Sequence, residues 1–359
     1  MPPNKILIVR TDRIGDVLLT TPVSTALRQA FPKAKISWLV RPYTAPLLEH
    51  NPEVDQVLLD KGQSAGELAA MIKSEQFDAS IVALPRWRIT WALWRAGIPI
   101  RIGPASKLYS VLFTHRLYQH RSEGEKHEAD YNLELLKPLG VSFRRYPTRF
   151  VLTDAARQAA RQILESHRVS FSKPVVILHP GSGDSSARWP LAHFMALGDK
   201  LQTAGCDVVV TGGPGEDYQS IMIDHMDRIP VFIAAGSVSL RELAAIISWA
   251  DLVVSNSTGP LHLAVALGVP TVSIYSPIPT CHPTRWGPYP AYAEGKDDHR
   301  VLMARDLSTI SVEEVWKICV QRLERRGRSL CLPEMAGGRG GPPLQAPPVQ
   351  AASSSNSSS

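Results

Sequence analysis

Between Leu252 and Pro277 an apolar run breaks into Ser255-Asn256-Ser257-Thr258-Gly259-Pro260 and resumes as Leu261-His262-Leu263-Ala264. Leu252 to Val254 has the character of a buried strand end. From Pro260 the apolar spacing turns helical, with Leu263, Ala264 and Leu267 on one side. Proline suits a first helical turn, where its missing N–H is no loss. The polar stretch is therefore expected to be a strand-to-helix turn. Its free N–H groups and the helix dipole favour an anion, usually phosphate. Taken alone, the turn is equally compatible with an ordinary capped helix that holds nothing.

The elements around it supply the context. Short apolar runs at Lys5–Arg10, Ile36–Val40, Val54–Leu59 and Ala79–Leu84 alternate with helical spacing at Val17–Phe31 and Ala65–Lys73. The pattern restarts after about residue 172. Strands are expected at Pro174–Leu178, Val208–Thr211, Val231–Ala234, Leu252–Val254 and Thr271–Ile274, with helices at Leu191–Ala204, 239–249 and 260–267. Strands separated by helices imply parallel sheets, and two such series imply an α/β chain of two Rossmann-like domains facing a cleft. The expected boundaries are 1–168 for the first domain and 169–332 for the second. From Pro333 the chain is mostly Gly, Pro, Gln, Ala and Ser, so 333–359 is expected to be a disordered tail. Glycine- or serine-rich loops follow three strands of the second half: His179 to Pro190 (with Ser182), Gly212 to Asp217, and the turn after Val254. Together they form a nucleotide-binding edge. In the first half, Gly15 and Asp16 follow the first strand at the start of a helix.

Several chemistries are disfavoured. Gly181-Ser182-Gly183 lacks the third glycine of a dinucleotide fingerprint, and no G-x-x-x-x-G-K-[ST] occurs. There is no Asp-x-Asp to suggest a carboxylate-held divalent ion. The four cysteines show neither a C-x-x-C pair nor zinc spacing, so no metal site is expected. No signal peptide is visible, and the uncharged span 252–277 is too rich in Ser, Asn, His, Gly and Pro for a bilayer. The expected location is cytoplasmic, with at most peripheral contact at the cytoplasmic face of the inner membrane. Residues 85–150 hold twelve Lys/Arg against five Asp/Glu, a bias of +7 that suggests an anionic partner. Trp87, Trp91 and Trp94 recur there among Arg86, Arg88 and Arg95. Such a stripe is more often core than membrane anchor.

KILIVRTDRIGDVLLTTPVSTALRQAFP, HPGSGDSSARWPLAHF, TGGPGE, KHEADYNLELLKPLG and SLRELAAIISWADLVVSNSTGPLHLAVALGVPTVSIY resemble the ADP-heptose:lipopolysaccharide heptosyltransferases, glycosyltransferase family nine. The similarity is collinear over roughly residues 4–325 and implies a GT-B fold. It also implies an inverting transferase that moves heptose from ADP-heptose to an acceptor of the lipid A–Kdo type. By motif, Asp16 matches the family's proposed catalytic base. Thr258 and Gly259 match residues that hold the donor pyrophosphate, with His262 a turn further on, and Glu216 matches an acid that contacts the donor ribose. Ser257 stands where the family commonly has Asp, and Ala187 where it often has Lys, with Arg188 adjacent. The donor set is completed by Ser182 and Arg188, and the acceptor set is Arg13, Arg86 and Arg88. No tightly bound cofactor is expected, only an ADP-sugar as substrate.

Blander roles compete. Asp16 could cap its helix, which would lower its basicity. Arg188 could lie over Trp189, and His262 could be a core histidine. A related transferase using another nucleotide sugar, and a silent sugar-nucleotide binder, stay open as alternatives. A nucleic-acid-binding role lacks any recognised motif.

Overall fold

Ile6-Leu7-Ile8-Val9 is apolar on both faces, as a strand covered by helices on either side must be. The computed structural model describes residues 2–182, 187–213, 231–233, 237–295, 298–328 and 330. In the first half β1 (Lys5–Val9), β2 (Lys35–Val40), β3 (Gln56–Leu59), β4 (Ala79–Val82), β5 (Ile100–Pro104) and β6 (His115–Leu117) form a sheet in the order β3-β2-β1-β4-β5-β6. In the second half β7 (Val175–His179), β8 (Asp207–Thr211), β9 (Val231–Ile233), β10 (Leu252–Asn256), β11 (Thr271–Tyr275) and β12 (His299–Met303) repeat that order. Every pair is parallel, for example Leu7 beside Ser37 and Val254 beside Leu178. Strand order reverses between β1 and β4, and again between β7 and β10. Ligands of open parallel sheets bind beyond the carboxyl ends at such points.

The connecting helices carry their own local signals. These are α1 (Ile14–Leu18), α2 (Thr21–Ala30), α3 (Ala65–Glu75), α4 (Trp87–Arg95), α5 (Glu128–Glu134) and α6 (Asp154–Ser166). They continue as α7 (Leu191–Thr203), α8 (Leu240–Ile247), α9 (Gly259–Ala266), α10 (Pro283–Trp286) and α11 (Val312–Arg325). Ser64 with Glu67 and Ser239 with Glu242 are reciprocal capping boxes that set the starts of α3 and α8.

The expected strands are present, with small differences at their ends. The single helical stretch expected from Val17 to Phe31 is two helices, α1 and α2, the second restarting at Thr21 just before Pro22. Strand β10 runs on to Asn256, which shortens the polar turn to Ser257 and Thr258. Residues 333–359, expected to be disordered, lie outside the described residues.

One apolar cluster joins the halves. It runs from Ile6, Ile8 and Ile81 of the first sheet to Leu263, Ala264, Val253 and Ile177 of the second. Three contacts carry it across: α6 lies on α8, α8 also meets the turn Pro42–Leu47, and α1 lies on α9. The last contact is interlocked. A Cβ built on Gly15 would meet the His262 ring at 2.5 Å, and one on Gly259 would meet Ile14 Cβ at 3.0 Å.

Of the tryptophan stripe only Trp91 packs against core, partly buried beside the cluster that holds Ile89 and Leu93. Trp87 and Trp94 are 58% and 47% exposed, and α4 buries Ile89, Thr90, Ala92 and Leu93 instead. Arginines crowd the polar side of this helix, so the tryptophans stand at its margin rather than beneath it. Among the described residues, the basic bias of residues 85–150 is offset by only two pairs with acids outside the segment, those of Arg88 and Arg149, while the other pairs use acids within it. Arg88 pairs with Asp60, Arg121 with Glu128, Lys126 with Glu134, Arg145 with Asp130 and Arg149 with Glu53.

Candidate active site

The end of β1 and the end of β10 face each other across a cavity of about 150 Å³. Arg13, Gly15 and Asp16 line it from the first half. Ser257, Thr258, Gly259, His262, Thr280, Cys281 and Trp286 line it from the second. All six predicted site residues on the two facing turns therefore meet in one cleft.

Asp16 is not a helix cap. It is the third residue of α1, whose N-cap is Arg13, and its Oδ1 accepts from Arg10 Nη2. Its Oδ2 accepts from none of the described residues. The expectation that the helix start lowers its pKa is overturned by its surroundings. Burial, with Asp12 and Glu128 nearby, outweighs Arg10 and pushes the carboxyl up to about 6.

Opposite it, Thr258 is the N-cap of α9 but makes no side-chain cap hydrogen bond. Its Oγ1 and His262 Nδ1 are both buried without a hydrogen-bond partner among the described residues. Buried polar atoms are rarely left so, and the two residues that carry them line the cavity. Burial, together with nearby His127, pushes the His262 imidazole down to about 3, so the ring is neutral. The resemblance implies that Gly259 helps to hold the donor pyrophosphate. Its Cβ direction faces Ile14 of the other half, and it is not in the left-handed region. Its smallness serves the seam between α1 and α9.

The remaining predicted residues are placed elsewhere. Arg188 Nε donates to Ser182 Oγ (2.8 Å), so these two are neighbours, and neither lines the cavity with Asp16. Trp189, next to Arg188 in the chain, is buried with its Nε1 on the Ile310 carbonyl. Glu216 lies outside the described residues. Arg13 is exposed at the cavity mouth with no ion pair among the described residues. Arg88 Nη2 donates to both oxygens of Asp60, each at 2.6 Å, and Arg86 is exposed at the start of α4. Neither lines the cavity.

Sequence reasoning missed Thr280, Cys281 and Trp286. They follow β11, so position after a strand end was the signal that pointed to them. It also missed Arg10, Glu128 and Arg285, which stand behind Asp16. Among the described residues no cluster of His, Cys, Asp or Glu is arranged to hold a metal ion. No helix among them is long and apolar enough to cross a membrane.

Two parallel sheets of matching order, with a cleft between their carboxyl edges, are the GT-B architecture. The model for glycosyltransferase family 9 (heptosyltransferase) matches residues 66–300, and the chain belongs to that family. A Haemophilus influenzae protein with only a provisional glycosyltransferase name is 32% identical, over 79% of this chain and 86% of its own. Lipopolysaccharide heptosyltransferase 3 of Escherichia coli is 27% identical, over 73% of this chain and 80% of its own. The crystal structure of a family 9 glycosyltransferase from Veillonella parvula superposes with a TM-score of 0.78 at 25% identity, covering 90% of this chain and 97% of that one.

Proposed function

We propose that the chain transfers heptose from ADP-heptose to a lipopolysaccharide-core acceptor of the lipid A–Kdo type, inverting the anomeric centre. The observation that carries this reading is the cleft, lined by the partly buried Asp16 from one half and by Thr258 and His262 from the other. Each of the latter two has a buried polar atom with no hydrogen-bond partner among the described residues. The acceptor hydroxyl attacks the anomeric carbon and gives its proton to Asp16 Oδ2, while the bond to the ADP oxygen breaks. Charge then grows on the leaving diphosphate. Thr258 and the first N–H groups of α9 stand where they can receive it without rearranging, and Arg13 at the cavity mouth is proposed to meet the acceptor. Glu216 is proposed to hold the ribose, and Ser182 and Arg188 to close the donor side. Calorimetric titration with ADP-, UDP-, GDP- and CMP-sugars, followed by product analysis, tests this. Preference for a nucleotide other than ADP would overturn the donor assignment.

Ser257 favours a second reading, a related transferase with another sugar. It places a hydroxyl in the cavity wall where the family resemblance implies a carboxylate. Ser257→Asp should alter sugar preference while leaving ADP affinity within about twofold, measured by competition between ADP-sugars.

The acceptor is proposed to reach the cleft from an anionic membrane surface. Trp87, Trp94, Leu108 (91% exposed) and Val111 (64%) form an exposed apolar group on α4 and the adjoining turn, where Trp87 meets Tyr109 edge-on. Arg86, Arg95 and Lys107 are exposed beside it. Each basic residue near an anionic surface contributes about 1 kcal/mol, and salt screens the effect. Co-sedimentation should require anionic vesicles, weaken as salt rises, and drop at least about fivefold in Trp87→Ala/Trp94→Ala. Equal binding to neutral vesicles would reject this surface.

A further inference from the structure

Behind the proposed base lies a buried array of charge that spans both halves. Arg10, at the end of β1, is 2% exposed and uses all three sides of its guanidinium on carboxylates. Nε donates to Asp12 Oδ1 (2.8 Å), Nη1 to Glu128 Oε1 (3.0 Å), and Nη2 to Asp16 Oδ1. A guanidinium is a rigid planar fork, so fixing two of its edges fixes the direction of the third. Glu128, the first residue of α5, is 1% exposed and divides its two oxygens between the halves. Oε1 accepts from Arg10 and from Arg121 Nη1 (2.6 Å), both in the first half. Oε2 accepts from Arg285 Nε at 3.0 Å and lies 3.0 Å from Arg285 Nη2, and Arg285 belongs to α10 of the second half. The Arg285 guanidinium lies over the ring of Trp286, which is itself part of the cavity wall.

We propose that Glu128 is a positioning residue for the transfer reaction: through Arg10 it aims the carboxylate of Asp16, and through Arg285 it ties that alignment to the contact between the halves. The inference rests on Asp16 being the base. A buried array of this kind is a poor way to gain stability, because desolvation of the ions offsets their attraction. It is a good way to fix geometry, since all three nitrogens of the Arg10 guanidinium and both oxygens of Glu128 are engaged. The groups facing Asp16 are Arg10, Asp12 and Arg13 from its own segment, Glu128 with His127 behind it from α5, His262 from α9, and Tyr43. Glu128 in turn faces Arg10, Arg121 and Arg285, which outweigh its burial and hold it ionised. Its charge therefore acts on Asp16 across the whole range in which Asp16 titrates.

Opposite changes at the two ends of the array should move the base in opposite senses. Glu128→Gln removes a negative charge near Asp16 and leaves Arg10 to Asp12 and Asp16. The acid limb of the kcat/KM profile should move to lower pH, kcat at pH 8 should fall about tenfold, and ADP affinity should hold within about twofold. Arg285→Met leaves Glu128 less neutralised and drawing harder on Arg10, so the limb should move to higher pH. This side chain is partly exposed and its substitution leaves the core intact, so it decides the matter alone should Glu128→Gln fail to fold. Limbs that stay at the wild-type position, or that move in the same sense, overturn the proposal whatever happens to kcat or Tm. Asp16→Asn separates this from the reading beneath it. Wild-type turnover in that variant removes the base itself, whereas an inactive Asp16→Asn beside an unmoved limb removes only the role of Glu128.

Discussion

Asp16→Asn should lower kcat by about 10²-fold or more while ADP-sugar affinity stays within about twofold. The asparagine keeps an oxygen for Arg10, so the array behind it is preserved and the loss reports on proton transfer. The wild-type enzyme should show the corresponding pH dependence. As a base, Asp16 works only when ionised, and burial has pushed its carboxyl up to about 6. Activity should therefore fall about tenfold per pH unit below that point and level off above it. Steady-state rates from pH 4.5 to 8.5, with donor affinity measured at each pH, check both statements. Wild-type turnover in Asp16→Asn would leave the carboxylate as no more than a partner of Arg10.

Gly259→Val should weaken ADP binding by about tenfold or more and lower Tm. The first turn of α9 can sit against α1 only because position 259 has no side chain, and Ile14 already fills that space with its Cβ 3.0 Å from where a new one would be. Forcing extra atoms into such a contact typically costs about 1–3 kcal/mol. Here the displaced element is the helix start that carries Thr258. Gly15→Ala should act from the other side by pushing the His262 ring out of place, since a Cβ would stand 2.5 Å from it. Calorimetry with ADP on folded protein measures the effect. Unchanged ADP affinity in both variants would mean that the donor site lies away from this seam.

The two sheets were legible because parallel strands covered on both faces are continuous apolar runs, as in Val175–His179 and Thr271–Tyr275. The strands that escaped notice are at or near sheet edges. Ile100–Pro104, His115–Leu117 and His299–Met303 are partly exposed and carry Arg or His, so no continuous apolar run as long as those of the central strands marks them. The facing turns could be predicted because their polar residues interrupt those runs. The array around Glu128 could not. Its partners Arg10 and Arg285 are 118 and 157 residues away, and a Glu in a first helical turn looks like any solvated one. The tryptophans of α4 misled for the opposite reason. Helical spacing shows that residues share a face, but not what covers that face.

The interlocking of Gly15 with His262 and of Gly259 with Ile14 bears on how such enzymes can be recombined. Each half supplies one small residue and one large residue to the same seam, and the apolar cluster runs through it without a break. The halves are therefore not interchangeable modules. A chimera that joins the first half of one family member to the second half of another inherits two helices cut to different templates. Such hybrids should fold and turn over only when α1 and α9 come from the same parent.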